Sequence, residues 1–353
     1  MNKPILCWHI GYIPDINSEE TETTYGSEIA LVYLSELFSE RYRVFIFGTC
    51  LFNEISKNDI QYLNSDKYDE FQKNNTIDIL ILCRYINPFM DFELKANKIF
   101  ILIQDVYLLP FFKGFTIPDS AKGLLKNVID KIDGIVTLTN WNKKTFVDYY
   151  EIDPNKVFII GNAIKTSKFK DNVKKQKNKF IYTSHGGRGI HKLLEYFHDI
   201  RKRVTDAELY IYRDRTAFCQ NDLDEMEKYD YFHFGGKIHN DKIIEEFQSS
   251  EMWLYPTDFT ESSCISSIEA QMSKCVCVTS HFAGLIETVA DRGILVTEPI
   301  YSEEYKEKII DEVVTILNDE NLKEKYRKAG YAWAKEQSWE NISQKWFELF
   351  DKK

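Results

Sequence analysis

Short apolar runs alternate with amphipathic segments along the first half of the chain. Continuous apolar runs of strand length predict strands that are buried on both faces. Between them, apolar residues recur at helical spacing, as over residues 29–38. This alternation predicts a parallel sheet covered by helices on both faces. The predicted strands of this half are 5–10, 44–47, 77–82, 99–103 and 134–138.

The same alternation begins again at Phe180. Before it, residues 165–179 hold seven lysines and few apolar side chains, so we interpret them as an interdomain linker or exposed turn, solvated rather than functional. A length of 353 residues also favours two domains. We therefore predict an α/β protein with two doubly wound, Rossmann-like domains and a ligand cleft between them. The predicted strands of the second half are 180–183, 207–212, 231–235, 252–255 and 275–279.

Charge, the lengths of the apolar runs and the spacing of the cysteines exclude several classes of partner and site. The chain has 55 acidic and 45 basic residues, which weighs against nucleic acid and against an anionic membrane as main partners. No apolar run is long enough for a spanning helix and no signal peptide is recognisable, so we expect a cytoplasmic protein with at most peripheral membrane contact. The seven cysteines lack the spacing of a zinc site and are expected to be reduced.

Two glutamates eight positions apart follow the predicted strand 252–255. Glu261 lies in the loop before a predicted helix, and Glu269 lies one to two turns inside it. The small polar residues between them place backbone N–H groups at a helix N-terminus, which favours an anion. A nucleotide-sugar offers sugar hydroxyls, a diphosphate and ribose hydroxyls in this order. A helix capped by Ser262 or Ser263, with solvated glutamates, is the simpler alternative.

The segment 256–270 resembles the Glu-x7-Glu motif of the family 4 glycosyltransferases, which are retaining enzymes of the two-domain GT-B fold. Further matches follow in the family's order, most clearly over residues 130–350. The resemblance implies a first domain over 1–165, completed by a C-terminal helix at 340–353, and a donor-binding domain over 166–339, facing a central cleft. The further matching segments are 162–164, where Ala163 replaces a glycine, 183–194, 234–238, 283–289, 293–296 and 338–340.

The resemblance implies a role for each matching residue of the glutamate motif. Glu261 would contact the hydroxyls of the donor sugar, and Glu269 would contact the ribose. The backbone N–H groups of Ser263, Cys264 and Ile265 would bind the diphosphate.

The loop after strand 180–183 resembles the family's basic phosphate-binding element. Arg188 stands where the family often has a lysine, and a guanidinium can bind phosphate oxygens with two N–H groups. Residues 184–186 replace the family's second basic contact, for which Lys192 or Lys237 is a candidate. Surface positions are the simpler interpretation for Lys192 and for His185. The remaining donor-binding candidates of these motifs are Gly187 and Ile238.

Two candidates lie in the first domain. Residues 25–28 resemble the family's glycine-rich loop, where Gly26 would let the backbone approach the donor phosphate or the acceptor. A plain helix start is the alternative. Asp105 follows a buried strand and is a candidate to orient or deprotonate the acceptor hydroxyl. Gln104 stands near the point where the family often has a histidine.

These matches imply a retaining, metal-independent glycosyltransferase of hexosyltransferase type, with Glu261, Arg188 and Asp105 as catalytic candidates. We expect a UDP-sugar rather than a GDP-sugar donor, no other cofactor, and a glycan, lipid-linked or protein acceptor. The acidic helical run around 222–224 argues against a metal role for its Asp-x-Asp. A non-catalytic nucleotide- or sugar-binding module and a nucleotide-sugar epimerase or phosphatase stay open. The absence of G-x-G-x-x-G after strand 5–10 argues against a dinucleotide oxidoreductase. The oligomeric state stays open.

Overall fold

The computed structural model describes residues 3–13, 27–50, 55–57, 60–106, 108–109 and 119–352. The chain divides into two units. The first unit comprises Met1–Asn162 and Trp339–Lys353, and the second unit comprises Ala163–Ser338. The first boundary lies between Asn162 and Ala163, three residues before the expected boundary after residue 165. The chain returns to the first unit at Trp339, one residue before the expected position 340.

The first unit is built on an eight-stranded sheet. Its strands are β1 (Ile5–Ile13), β2 (Arg43–Cys50), β3 (Ile55–Lys57), β4 (Ile60–Asn64), β5 (Ile79–Cys83), β6 (Lys98–Ile103), β7 (Gly134–Thr137) and β8 (Val157–Ile159). Their order is β3-β4-β2-β1-β5-β6-β7-β8, and every neighbouring pair is parallel except β3 with β4. The helices of this unit are α1 (Ser27–Phe38), α2 (Tyr68–Asn74), α3 (Pro88–Asp91), α4 (Asp119–Val128), α5 (Asn140–Tyr150) and α13 (Trp339–Asp351).

The five strands predicted in this half are confirmed as β1, β2, β5, β6 and β7. The central strand β5 is buried along its whole length, as a continuous apolar run predicts. The apolar pattern does not predict β3, β4 or β8. These strands lie toward the two ends of the sheet. β3 and β8 are only three residues long, and β4 begins with alternating buried and exposed residues instead of a continuous buried run.

The C-terminal helix α13 packs on the first unit through aromatic rings. Trp8 of β1 stacks on Phe38 of α1 at a centroid distance of 6.0 Å and meets the edge of Trp346 of α13 at 6.3 Å. The side chain of Lys98 donates a hydrogen bond to the carbonyl of Phe350 at 2.7 Å. The apolar positions of the last predicted helix therefore face the core of this unit.

The second unit is built on a six-stranded parallel sheet. Its strands are β9 (Lys179–Tyr182), β10 (Glu208–Ile211), β11 (Phe232–Phe234), β12 (Met252–Tyr255), β13 (Val276–Ser280) and β14 (Ile294–Val296), in the order β11-β10-β9-β12-β13-β14. All five strands predicted in this half are confirmed. The helices are α6 (Ile190–Arg203), α7 (Gln220–Lys228), α8 (Asn240–Ser249), α9 (Ile265–Met272), α10 (Leu285–Thr288), α11 (Glu303–Asn318) and α12 (Glu320–Lys335).

The lysine-rich stretch 165–179 is not a purely solvated loop, and that prediction is wrong for two of its lysines. The ammonium group of Lys175 donates hydrogen bonds to the carbonyls of Ser250 at 2.5 Å and Ser273 at 2.6 Å. These two residues follow the last turns of α8 and α9, where helix carbonyls lack partners. Burial lowers the pKa of Lys175. Lys179 opens β9 and is buried.

We expect Lys175→Met to lower the free energy of unfolding of the second unit by about 1–3 kcal/mol, because it leaves two helix carbonyls without their donor. Lys174→Met is the matched control, since Lys174 is the exposed neighbour in sequence. Urea unfolding of both variants beside the wild type measures the difference. Equal stability of the two variants would contradict the capping role of Lys175.

Candidate active site

The sheet of the second unit changes its direction of growth between β9 and β12. From β9 the chain continues to β10 on one side, and from β12 it continues to β13 on the other side. The loops that follow β9 and β12 therefore leave neighbouring strands at the same carboxyl edge and diverge. Such a switch point forms a crevice in doubly wound sheets.

The loop after β9 packs directly on the loop after β12. Gly189 has a φ of +101°, and a Cβ atom there would lie 2.2 Å from the carbonyl oxygen of Pro256. Only glycine combines this conformation with so close an approach. At the start of the same loop, the hydroxyl of Tyr182 donates to the carbonyl of His185 at 2.9 Å. These contacts fix the turn that carries Arg188.

Arg188 and Glu261 form an ion pair across the switch point. The Arg188 Nη1 atom lies 3.0 Å from Glu261 Oε1, and the guanidinium stacks 4.1 Å from the ring centroid of Phe259. Burial works against the charged guanidinium, but the adjacent Glu261 carboxylate outweighs it and raises the pKa of Arg188. The side chain of Glu261 is only 9% exposed, whereas that of Arg188 is 37% exposed. The pair thus has a buried anion and an accessible cation.

Tyr255 is a second donor to the same carboxylate oxygen. Its hydroxyl donates to Glu261 Oε1 at 2.9 Å. Among the described residues, no donor bonds to the other oxygen, Oε2. The backbone of the loop is held too, because the N–H of Gly284 donates to the carbonyl of Glu261 at 2.8 Å. A Cβ atom at Gly284 would lie 2.4 Å from the carbonyl oxygen of Ser262, so this position requires glycine.

The N-terminus of α9 has no side-chain cap. The N-cap residue is Cys264, so the alternative with Ser262 or Ser263 as the capping residue is wrong. Ser263 and Cys264 are buried and Ile265 is half-buried. Within the described part of the chain, their backbone N–H groups meet no acceptor. Unpaired N–H groups and the positive end of the helix dipole make this turn suitable for an anion.

Glu269 lies one turn inside α9, as predicted. Burial raises the pKa of its carboxyl group to about 7. The carboxyl forms no hydrogen bond or ion pair with any residue that the structure describes. It is therefore a hydrogen-bonding group without a protein partner in this part of the chain.

The other predicted donor-binding residues differ in their surroundings. Lys192 donates to Glu195 at 2.8 Å on the same helix, so its charge is already balanced. Lys237 is exposed and Ile238 packs partly against the core of the second unit. The backbone of Gly187 is exposed, and its N–H donates to His185 Nδ1 at 3.0 Å.

Arg213 is a basic residue that the sequence reasoning missed. It follows β10, the strand beside β9, so it leaves the sheet at the same edge as Arg188. Burial lowers the pKa of His185, and the positive charges of Arg188 and Arg213 lower it further. The signal available in sequence is the position of Arg213 directly after the predicted strand 207–212.

The first unit places Asp105 in an ion pair. Arg84 Nε donates to Asp105 Oδ2 at 2.7 Å, and these residues follow the adjacent strands β5 and β6. Arg84 has a φ of +71°, a left-handed conformation that is unusual for a residue with a side chain. The side chain of Gln104 accepts a hydrogen bond from Cys83 at 3.1 Å. Sequence reasoning did not identify Arg84. Gly26 lies outside the described residues.

The described residues contain no group of three or more histidine, cysteine or acidic side chains arranged to hold a metal ion. In the same part of the chain, no helix is both long and apolar enough to cross a membrane.

Glu269 makes the stability of the second unit depend on pH. Its pKa is about 7 in the folded protein against 4.5 in the unfolded chain, so the folded protein keeps a proton that the unfolded chain has lost between these values. The free energy of unfolding therefore falls as the pH rises through this window. Glu269→Gln should abolish this pH-dependent loss in the free energy of unfolding, which amounts to at most about 3 kcal/mol.

Melting temperatures at pH 5 and pH 8 measure this effect. We expect Glu269→Gln to lose less stability than the wild type on going to pH 8. The control is Glu307→Gln, which alters an exposed glutamate on α11. Parallel pH profiles for the wild type and Glu269→Gln would contradict the raised pKa.

The comparisons with known proteins concern sequence and fold. Residues 163–333 match the family model described as glycosyl transferases group 1. No curated protein matches the chain in sequence.

The whole chain is similar in structure to several solved proteins. A glycosyltransferase from Rickettsia africae has a TM-score of 0.77 and 15% identity, with 98% of each chain covered. A sucrose-phosphate synthase from Thermosynechococcus elongatus has a TM-score of 0.76 and 12% identity, also with 98% of each chain covered. HepE from Anabaena, solved with UDP and glucose, has a TM-score of 0.70 and 10% identity over 98% of each chain. The second unit thus carries a match to the group 1 glycosyl transferases, and the chain has the GT-B fold with two Rossmann-like units.

Proposed function

We propose that this protein is a glycosyltransferase of the retaining, metal-independent type, with a nucleoside-diphosphate-sugar as donor and a hydroxyl group as acceptor. The observation that carries the proposal is the Arg188–Glu261 ion pair beside the uncapped N-terminus of α9. Both lie in the segment that matches the group 1 glycosyl transferases. A cation, a carboxylate and unpaired backbone N–H groups at the switch point, with Glu269 one turn further along α9, fit the parts of such a donor.

The diphosphate of the donor would lie at the N-terminus of α9. The N–H groups of Ser263, Cys264 and Ile265 would donate to its oxygens, and the accessible guanidinium of Arg188 would approach from the loop after β9. Arg213 leaves the same edge of the sheet and adds positive charge there. Arg213 would then be the second basic group, for which the sequence offered only Lys192 and Lys237.

The two glutamates would bind hydroxyl groups on either side of the diphosphate. Glu261 has its Oε1 atom engaged by Arg188 and Tyr255, which leaves Oε2 for a hydroxyl of the donor sugar. Glu269 has no protein partner among the described residues and would accept hydrogen bonds from the ribose hydroxyls. Because HepE is solved with UDP and glucose, a UDP-sugar is the expected donor.

Transfer would depend on stabilising the leaving diphosphate. As the bond between the sugar C1 atom and the phosphate oxygen breaks, negative charge grows on that oxygen, next to Arg188 and the helix N–H groups. The acceptor oxygen would bond to C1 on the same face, and its proton would pass to the leaving phosphate oxygen. Glu261 is held by two donors, so it would orient the sugar rather than attack it. The product would keep the anomeric configuration of the donor.

Fixed positive groups of the protein would take the place of a metal ion. The Asp-x-Asp at 222–224 lies on α7, where Asp222 accepts from Cys219 at 3.1 Å and Asp224 accepts from Gln220 at 2.6 Å. These carboxylates are engaged within their own helix region. Asp105 is paired with Arg84 through Oδ2, and it would act as the base for the acceptor hydroxyl. The acceptor would be a glycan, lipid-linked or protein hydroxyl.

Donor binding tests the proposal directly. In the presence of EDTA, we expect UDP and a UDP-sugar to raise the melting temperature, because a ligand that binds only the folded state stabilises it. At a ligand concentration one hundred times the dissociation constant, this stabilisation is about 2.7 kcal/mol. The probes are UDP, GDP, ADP, UDP-glucose and UDP-N-acetylglucosamine. The absence of a shift with every probe would overturn the proposal. Binding of a UDP-sugar without any release of UDP, whether the sugar is offered water alone or added glycan acceptors, would favour a non-catalytic module.

Replacing Arg188 tests its role at the diphosphate. We expect Arg188→Ala to weaken UDP binding and to lower the rate of UDP release from a UDP-sugar by more than about ten-fold, because removing one charge-stabilising contact costs about 2–4 kcal/mol. Arg203→Ala is the control, since Arg203 lies at the far end of α6 and pairs with Asp311 on the surface. Calorimetric titration with UDP measures the affinity of each variant, and a UDP-release assay measures its rate. Wild-type affinity and rate in Arg188→Ala would refute the assignment.

A further inference from the structure

Tyr255 has a buried hydroxyl group that serves a single acceptor. It is the last residue of β12 and is 0% exposed, with its ring packed 5.0 Å from Trp253 and 6.0 Å from Tyr182. Phenylalanine would fill the same space without a polar atom to bury. Among the described residues, the only acceptor for the hydroxyl is Glu261 Oε1 at 2.9 Å. Burying a hydroxyl is costly unless it is hydrogen-bonded. The hydrogen bond to Glu261 is therefore what this hydroxyl contributes.

The geometry at Glu261 explains what this hydrogen bond does. A guanidinium facing a carboxylate commonly binds both oxygens with two N–H groups. Here Arg188 makes one contact, to Oε1, and Tyr255 donates to the same oxygen. The carboxylate is thus anchored from two directions through one oxygen. Its Oε2 atom and the remaining N–H groups of Arg188 are left available for a ligand.

We propose that Tyr255 is a positioning residue that orients the Glu261 carboxylate toward the sugar of the donor and keeps it from pairing with Arg188 through both oxygens. This inference rests on the proposed function, because it concerns the same donor site. Tyr255 itself is too buried to contact the donor. Removing its hydroxyl should therefore weaken the binding of the donor's sugar, through Glu261. The binding of the nucleotide part should not change.

This separation defines the experiment. Tyr255→Phe should bind UDP with an affinity close to that of the wild type. It should bind the UDP-sugar at least about ten-fold more weakly, since the hydrogen bond that orients the charged Glu261 carboxylate is lost. Calorimetric titrations with UDP and with UDP-glucose or UDP-N-acetylglucosamine, whichever the wild type binds more tightly, measure the ratio of the two affinities.

The control variant is Tyr150→Phe. It removes a buried tyrosine hydroxyl that donates to the carbonyl of Leu108 at 2.8 Å in the first unit. We expect it to keep the wild-type ratio of UDP-sugar to UDP affinity, even if both variants melt earlier. A wild-type ratio in Tyr255→Phe, or an equal loss for UDP and the UDP-sugar, would overturn the inference while the donor site stands. Failure of the wild type itself to bind UDP would overturn the proposed function and the inference with it.

Discussion

The ion pair between Arg188 and Glu261 is the interaction around which the candidate site is organised. The two residues lie 73 positions apart in sequence, and they meet only because β9 and β12 are neighbours at the point where the sheet reverses its growth. Two parallel strands that diverge into loops at their carboxyl ends leave a crevice there. In this crevice one loop supplies a cation and the other supplies an anion. The close contact of Gly189 with Pro256 sets the distance between the two loops.

A buried carboxylate is costly unless an opposite charge and further hydrogen bonds satisfy it. At Glu261 this condition is met by Tyr255, which donates to the oxygen that Arg188 also contacts. On the other side, the guanidinium lies on the ring of Phe259, a contact that favours a cation without using its N–H groups. The pair is therefore stable before any ligand arrives, and it still has unused donors and an unused acceptor. Such preorganisation lowers the cost of ordering the site when a ligand binds.

The apolar pattern was sufficient to predict the central strands and the two-domain α/β class, because β5 and β12 are buried along their whole length. It also predicted that Glu269 lies inside a helix, since helix periodicity is local. What it could not predict are contacts between distant segments. The partnership of Tyr255 with Glu261 depends on a loop conformation that no local pattern encodes. Similarly, a run of lysines predicts solvation, and only the packed structure brings Lys175 to the ends of α8 and α9.

The two glutamates of the motif illustrate how different surroundings give the same residue type different chemistry. Glu261 lies next to a guanidinium and accepts two hydrogen bonds at Oε1, so its orientation is fixed. Glu269 has no such partner among the described residues, and burial raises its pKa to about 7. At neutral pH it can therefore accept or donate a hydrogen bond to a hydroxyl group, which is itself both donor and acceptor. The proposed donor has a sugar on one side of its diphosphate and a nucleoside on the other, and such a ligand would be served by this difference between the two glutamates. The charged group can bind hydroxyls strongly and directionally, and the group of variable charge can bind them without placing a second fixed negative charge beside a diphosphate.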